Sequence, residues 1–110
     1  MNECERKRRF LTYLGFAARS RNAAVGCELA LKAVRRSAGK DVTVAVLASD
    51  ASERTKKQMG DKCTYYKVFL ARTDAAADEI GAALGKKSPV AAAAVTDKNL
   101  ASAIIKLYTD

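Results

Sequence analysis

An α/β fold is the class this sequence predicts, a three-layer α/β/α sandwich with helices covering both faces of a small sheet. Three observations predict it. Apolar runs of strand length alternate with longer stretches of helical period. A hydroxyl residue followed by aspartate, a pair suited to the exit from a strand into a helix, occurs at Ser49-Asp50, Thr73-Asp74 and Thr96-Asp97. The run Val42–Ala48 is almost continuously apolar, as a central strand buried on both faces requires.

The elements follow in order. A helix over 3–19 turns Phe10, Leu14 and Ala17 inward and carries Arg6-Lys7-Arg8-Arg9 near its start. A short extended piece at 22–25 leads into a helix over 26–38. There Cys27, Ala30, Leu31, Val34 and Ala38 form an apolar stripe, and Glu28, Lys32, Arg35 and Arg36 take the other face. After the turn at Gly39-Lys40 and the central strand comes a helix over 51–63, with Met59 and Cys63 inward, opened by a capping box of Asp50 with Glu53. Lys67–Ala71 is the next strand, with Tyr65, Tyr66 and Phe69 packing at its entrance. A helix over 74–84 buries Ala77, Ile80 and Leu84, and Val90–Val95 is the last strand. The closing helix, 97–108, buries Leu100, Ile104 and Leu107. Alanine is a poor strand former, so Ala91–Ala94 predicts helices lying close on the sheet. Pattern alone leaves the strand order open.

At 110 residues, with 49% apolar and 29% charged, the chain has the size and balance of one globular domain that needs neither disulfide nor metal. Its three cysteines, Cys4, Cys27 and Cys63, form no C-x-x-C pair, and there is no histidine. A zinc set of the usual kind and a Ser-His or Cys-His nucleophile pair are therefore excluded, and no cofactor is implied. Cys27 and Cys63 read as small core residues. No run reaches the roughly 18 apolar residues of a membrane span, and the basic start lacks the apolar segment of a leader. A cytoplasmic protein without a membrane partner is the expectation.

Charge points to a partner. Of the net +8, residues 1–62 hold 14 Lys/Arg against 7 Asp/Glu, and residues 63–110 hold 6 against 5. A basic half built from regular elements displays its charge on a rigid surface, where it can neutralise backbone phosphates and release their counterions. The plainer reading is a solvated basic surface.

One phosphate-loop likeness is set aside. Gly81-Ala82-Ala83-Leu84-Gly85-Lys86-Lys87-Ser88 has three residues between its glycines where a nucleotide loop needs four, and it leaves a helix instead of entering one. It reads as a helix end at Gly85 followed by a basic turn closed by Pro89. The junction at Gly26 is more telling. Glycine between strand and helix permits close approach of another backbone, the new helix offers unpaired amides, and Lys32 lies on its exposed face.

In order, the chain presents a basic first helix, Gly26 to Lys32, Val46-Leu47-Ala48-Ser49-Asp50-Ala51-Ser52, Lys62-Cys63-x-x-Tyr66, Ile80-Gly81 and Gly85-x-x-x-Pro89-Val90. This series resembles the ribosomal L-seven-Ae and L-thirty-e family. Through Ala48–Lys57 it resembles most the bacterial, ribosome-associated YlxQ-type branch. The resemblance implies an L-thirty-e-like sandwich on a mixed four-stranded sheet, and an RNA-binding protein that is not an enzyme. Its partner would be structured RNA, a kink-turn or ribosomal RNA, and through it the ribosome.

Carried over, one part of the RNA site is Gly26, Glu28, Leu29 and Lys32, and the other is Lys86, Lys87, Ser88, Pro89 and Val90. The helix start from Asp50 to Lys56 flanks them. Arg35 and Arg36 add phosphate contacts, with Arg19, Arg21 and Arg54 peripheral. Kink-turn binders typically carry Asn-Glu where this chain has Glu28-Leu29. An amide both donates to and accepts from a purine edge, whereas an ionised glutamate only accepts. The kept positions are thus positioning contacts, and the changed ones read bases. A protein-interaction module in a ribonucleoprotein or ribosome assembly is the alternative that Glu28-Leu29 favours.

Overall fold

The structure is a computed structural model and describes residues 2–37 and 43–109. Along it run α1 (Glu3–Arg19), β1 (Ala23–Val25), α2 (Cys27–Arg36), β2 (Val44–Leu47), α3 (Glu53–Tyr66), β3 (Phe69–Arg72), α4 (Ala77–Ala83), β4 (Ala92–Val95) and α5 (Lys98–Thr109). The predicted alternation is present, with each strand shorter than its apolar run. Ala38, Val42 and the Gly39-Lys40 turn lie outside the described residues.

The four strands form one mixed sheet in the order β1-β4-β2-β3. β4 is antiparallel to both β1 and β2, while β2 and β3 are parallel. Register aligns Ala23, Val95, Val44 and Phe69 in a row at one end of the sheet. At the other end Val25, Ala93, Val46 and Ala71 form a second row. Parallel β2 and β3 need a crossover, which α3 supplies.

Helices α2 and α3 pack on each other and on the sheet, whereas α1 packs with α4 and α5, and α5 lies on β2 and β3. Every residue of β2 and β4 is buried, so both sheet faces are covered. The three-layer sandwich on a mixed four-stranded sheet is therefore the observed fold. Ala24, Ala94 and Ala45 stand side by side across three strands, and the small side chains let the covering layer lie close. Phe10, Leu14, Met59, Ile80 and Ile104 are fully buried. Each such side chain contributes about 1.5–3 kcal/mol on leaving water.

The three hydroxyl-aspartate pairs divide their work differently from the sequence expectation. Only Asp97 caps the helix that follows it, accepting from the amides of Asn99 (2.8 Å) and Leu100 (3.0 Å). The Asp50-Glu53 capping box is not formed. Ser52 is the N-cap of α3, its hydroxyl accepting from the Thr55 amide at 3.2 Å, because a turn at Ser49-Asp50, closed by the Ala51 amide on the Ala48 carbonyl, comes before the helix. Asp50 reaches across the sheet end, and its Oδ1 accepts from the Ala77 amide of α4 at 2.8 Å. α4 also starts later than expected, with Glu79 accepting from the Ala76 amide. Asp74 accepts from Arg6 at 2.9 Å.

The basic start of α1 is thereby partly consumed inside the fold. Arg6 forks onto Asp74 and stacks over the Tyr108 ring, 5.1 Å from its centroid. Lys7 Nζ lies 3.1 Å from Glu79. The Ala76 amide first, and Lys7 second, hold the Glu79 carboxyl below its usual range. Arg8 and Arg9 remain exposed.

Two helix ends depart from glycine chemistry. α1 closes with Asn22 N–H donating to Ala17 at 2.8 Å and Arg21 at φ 61°. α3 runs to Tyr66, three residues past its predicted end, and closes with Val68 N–H donating to Cys63 at 2.9 Å and Lys67 at φ 59°. Tyr65 and Tyr66 thus end a helix instead of entering a strand, and Tyr65 is 77% exposed instead of packed. A side chain in this left-handed conformation costs about 1–2 kcal/mol relative to glycine. α4 obeys the usual rule, with Gly85 at φ 75° and Lys86 N–H donating to Gly81 at 2.8 Å. That is the helix end and basic turn the sequence predicted there.

Candidate nucleic-acid interface

Strand register gathers several loops at one end of the sheet. β1 ends there at Val25, opposite Ala93 near the start of β4, and β2 and β3 end there at Leu47 and Arg72. The Gly26 amide donates to the Ala92 carbonyl at 3.0 Å, and the Ala48 amide to the Ala91 carbonyl at 2.8 Å. The β1–α2 junction, the β2–α3 segment and the loop into β4 are therefore neighbours.

Gly26 adopts φ 97° and ψ 156°, a conformation that side-chain-bearing residues rarely take. A Cβ built on it would meet nothing within 4 Å. Its glycine answers to the backbone angle, and the space over it is open. α2 starts there without a side-chain cap. The other helices have theirs from Asn2, Ser52, Asp50 with Glu79, and Asp97. The first amides of α2 thus face outward with the positive end of the helix dipole, an arrangement suited to a phosphate.

Glu28 and Leu29 occupy the first turn of α2, and Leu29 is 52% exposed. Lys32 follows one turn on, its Nζ 3.8 Å from Glu28. Exposed pairs of this kind contribute about 0.3–0.5 kcal/mol, so a phosphate can compete for Lys32. Arg35 and Arg36 fall in the last turn, carried by the helix axis toward the other end of the sheet. A ten-residue helix is roughly 15 Å long, so they stand apart from Gly26.

The loop after α4 runs back along that helix. Lys86 donates to Gly81, and Val90 donates to Ala77 at 2.9 Å. Pro89 and Val90 accordingly approach the Gly26 end, while Lys86 and Lys87 sit further back. Gly81 makes this path possible, because a Cβ there would collide with the Ser88 carbonyl. Lys86, Lys87, Ser88 and Pro89 are exposed, and Val90 is buried. On the other flank, Lys56 lies one turn into α3, 3.5 Å from Glu53. Asp50 is held by the Ala77 amide.

The cysteines give no competing chemistry among the described residues. Cys63 is buried, as expected, and desolvation pushes its thiol up to about 11. Cys27 is only half-buried, and burial raises its pKa too. Sequence reasoning missed the exposed aromatics. Phe16 is 47% exposed beneath the Arg19 guanidinium, 4.9 Å from the ring centroid, and Tyr65 projects from the end of α3. The i, i+3 spacing of Phe16 and Arg19 was the available signal.

A match to the ribosomal protein L7Ae/L30e/S12e/Gadd45 family spans residues 8–105. The chain belongs to this family. Among its relatives, the RNA-binding protein YlxQ of Bacillus subtilis is 38% identical over 94 residues, covering 86% of this chain and 89% of that protein. The RNA-binding protein YlxQ of Enterococcus faecium is 40% identical over 68 residues, 62% of each chain. The family likeness is therefore of the YlxQ type. A protein of unknown function from Bacillus halodurans superposes with a TM-score of 0.80 at 32% identity, covering 92% of this chain and 97% of that one. The 15.5 kD RNA-binding protein of Giardia lamblia superposes at 0.79 with 21% identity over 98% and 90%, which shows the shared fold. No helix among the described residues is long and apolar enough to cross a membrane.

Proposed function

We propose that this protein binds structured RNA without catalysing a reaction, docking the end of the sheet that carries Gly26. The observation that carries the reading is the 3.0 Å hydrogen bond from Gly26 to Ala92, which makes the uncapped start of α2 a neighbour of the loop into β4. The names of the YlxQ relatives support RNA as the ligand. In this reading the first amides of α2 and Lys32 meet phosphates, and the open space over Gly26 admits the RNA backbone. Leu29 offers an apolar contact, and Ser88, Pro89 and Val90 border the other side. Lys56 supplies a further phosphate contact, with Lys86 and Lys87 reinforcing the field from behind.

Glu28 shapes the selectivity. It accepts hydrogen bonds from base amino groups but repels phosphate, so it suits a widened groove where base edges are reachable. A bent internal loop of the kink-turn kind, in ribosomal RNA on the ribosome, presents such a groove, and a cytoplasmic setting follows from that partner. Lys32→Ala is expected to weaken RNA binding by roughly 1–2 kcal/mol while the unfolding midpoint stays near that of the parent. Equal affinity of variant and parent, measured by titration of a kink-turn RNA, would remove Lys32 from the site.

A further inference from the structure

The opposite end of the sheet carries its own concentration of positive charge. The row Ala23, Val95, Val44 and Phe69 lies there, and neighbouring strands are about 4.8 Å apart, so the row is about 14 Å wide. Arg21, expected from the sequence at the periphery of the first site, instead precedes β1 at this far end. Lys67 precedes β3, so the two stand at the edges of that row, and Lys98 opens α5 just beyond β4. α2 ends on this side with Arg35 and Arg36. All five cations are exposed. Asp97, two residues past β4, is turned to the amides of Asn99 and Leu100.

Part of this charge answers the negative ends of α1, α2 and α3, which all finish here. That accounts for Arg35 and Arg36. At Arg21 and Lys67, which follow the ends of α1 and α3, the same attraction offsets only part of the cost of a left-handed backbone. These are the two positive-φ residues other than glycine among the described residues, both are basic, and both sit at this end. Each occupies the helix-end position where glycine would relax the backbone. The fold thus keeps a cation at each edge of the row against its own conformational preference. Tyr65, 77% exposed beside Lys67, adds an aromatic surface on which an unpaired base can stack.

We infer that this end is a second RNA-binding surface, which takes the phosphate backbone of another RNA segment and makes the protein a bridge between two segments. A width of about 14 Å spans several phosphates of a duplex, whose charges fall about every 1.7 Å along the axis. The molecule measures 31 × 28 × 26 Å, so segments held at opposite ends do not collide on the protein. The inference rests on the RNA-binding reading for its class of ligand but not for its location.

The test uses the full chain with a biotinylated kink-turn RNA on beads, as the ligand of the first site, and a fluorescent RNA duplex in solution. The parent is expected to hold the fluorescent RNA on the beads. Arg21→Gly/Lys67→Gly is expected to stay bound to the immobilised RNA and to lose most of the captured fluorescence. Its salt slope for capture should be shallower by about 1.8, the share of two phosphates. Its melting temperature should equal or exceed that of the parent, since glycine suits both positions, so lost capture cannot be laid to unfolding. A parent that holds the first RNA and never the second overturns the inference and leaves the first site standing. Undiminished capture by the double variant also overturns it. A parent that binds neither RNA sinks both readings.

Discussion

Asp50 shows how a residue can be right in type and redirected in role. The sequence places it at the mouth of a helix, which is where it stands, but the amide it serves belongs to α4 and not α3. Chain-local pattern could not reveal this, because Asp50 and Ala77 meet only after β2 and β3 pair. Asp50→Ala should lower stability by about 0.5–2 kcal/mol through the lost cap. It should leave RNA affinity equal or slightly raised, since a negative charge leaves the docking end. Denaturant unfolding and RNA titration of the same variant check both halves. Weaker RNA binding at unchanged stability would make Asp50 an RNA contact instead. Gly26, Lys32 and Pro89 were readable as candidates because glycine, an exposed cation and proline each mark a physical demand on the backbone or surface.

At the scale of elements, periodicity was a sound guide to what forms and a poor one to where it stops. Every helix and strand appears, since a stripe at helical spacing or a short apolar run needs only local burial to be understood. α3 overran its predicted end because Lys67 takes the left-handed position that glycine normally announces. The same blindness hid the exposure of Tyr65. Between α4 and the loop that follows, Gly81 is the hinge point of the candidate site, seating the Ser88 carbonyl where a Cβ would stand. Gly81→Ala is expected to cost about 1–3 kcal/mol from forced repacking. It should also push the segment 86–90 off α4 and weaken RNA binding beyond what the stability loss explains. Measured unfolding and RNA affinity near parental values would show that the loop tolerates the methyl group.

For the molecule as a whole, the excess of charge in residues 1–62 was legible, but its distribution in space was not. Arg6 and Lys7 look like part of a basic patch and instead tie α1 to Asp74 and Glu79. Arg35 and Arg36 share a helix with Lys32 yet stand toward the other end of the sheet. Strand order decides such questions, and it depends on cross-strand packing that a linear pattern does not encode. The order β1-β4-β2-β3 is what makes Gly26 and Ala92 neighbours, so the candidate site is a product of topology. The most direct test of its central claim is the salt dependence of affinity for a kink-turn RNA. Docking through about four phosphates, met by Lys32, Lys56, Lys86 and Lys87, predicts a plot of log affinity against log salt with a slope near −3 to −4. A slope near zero would contradict phosphate docking at this end of the sheet.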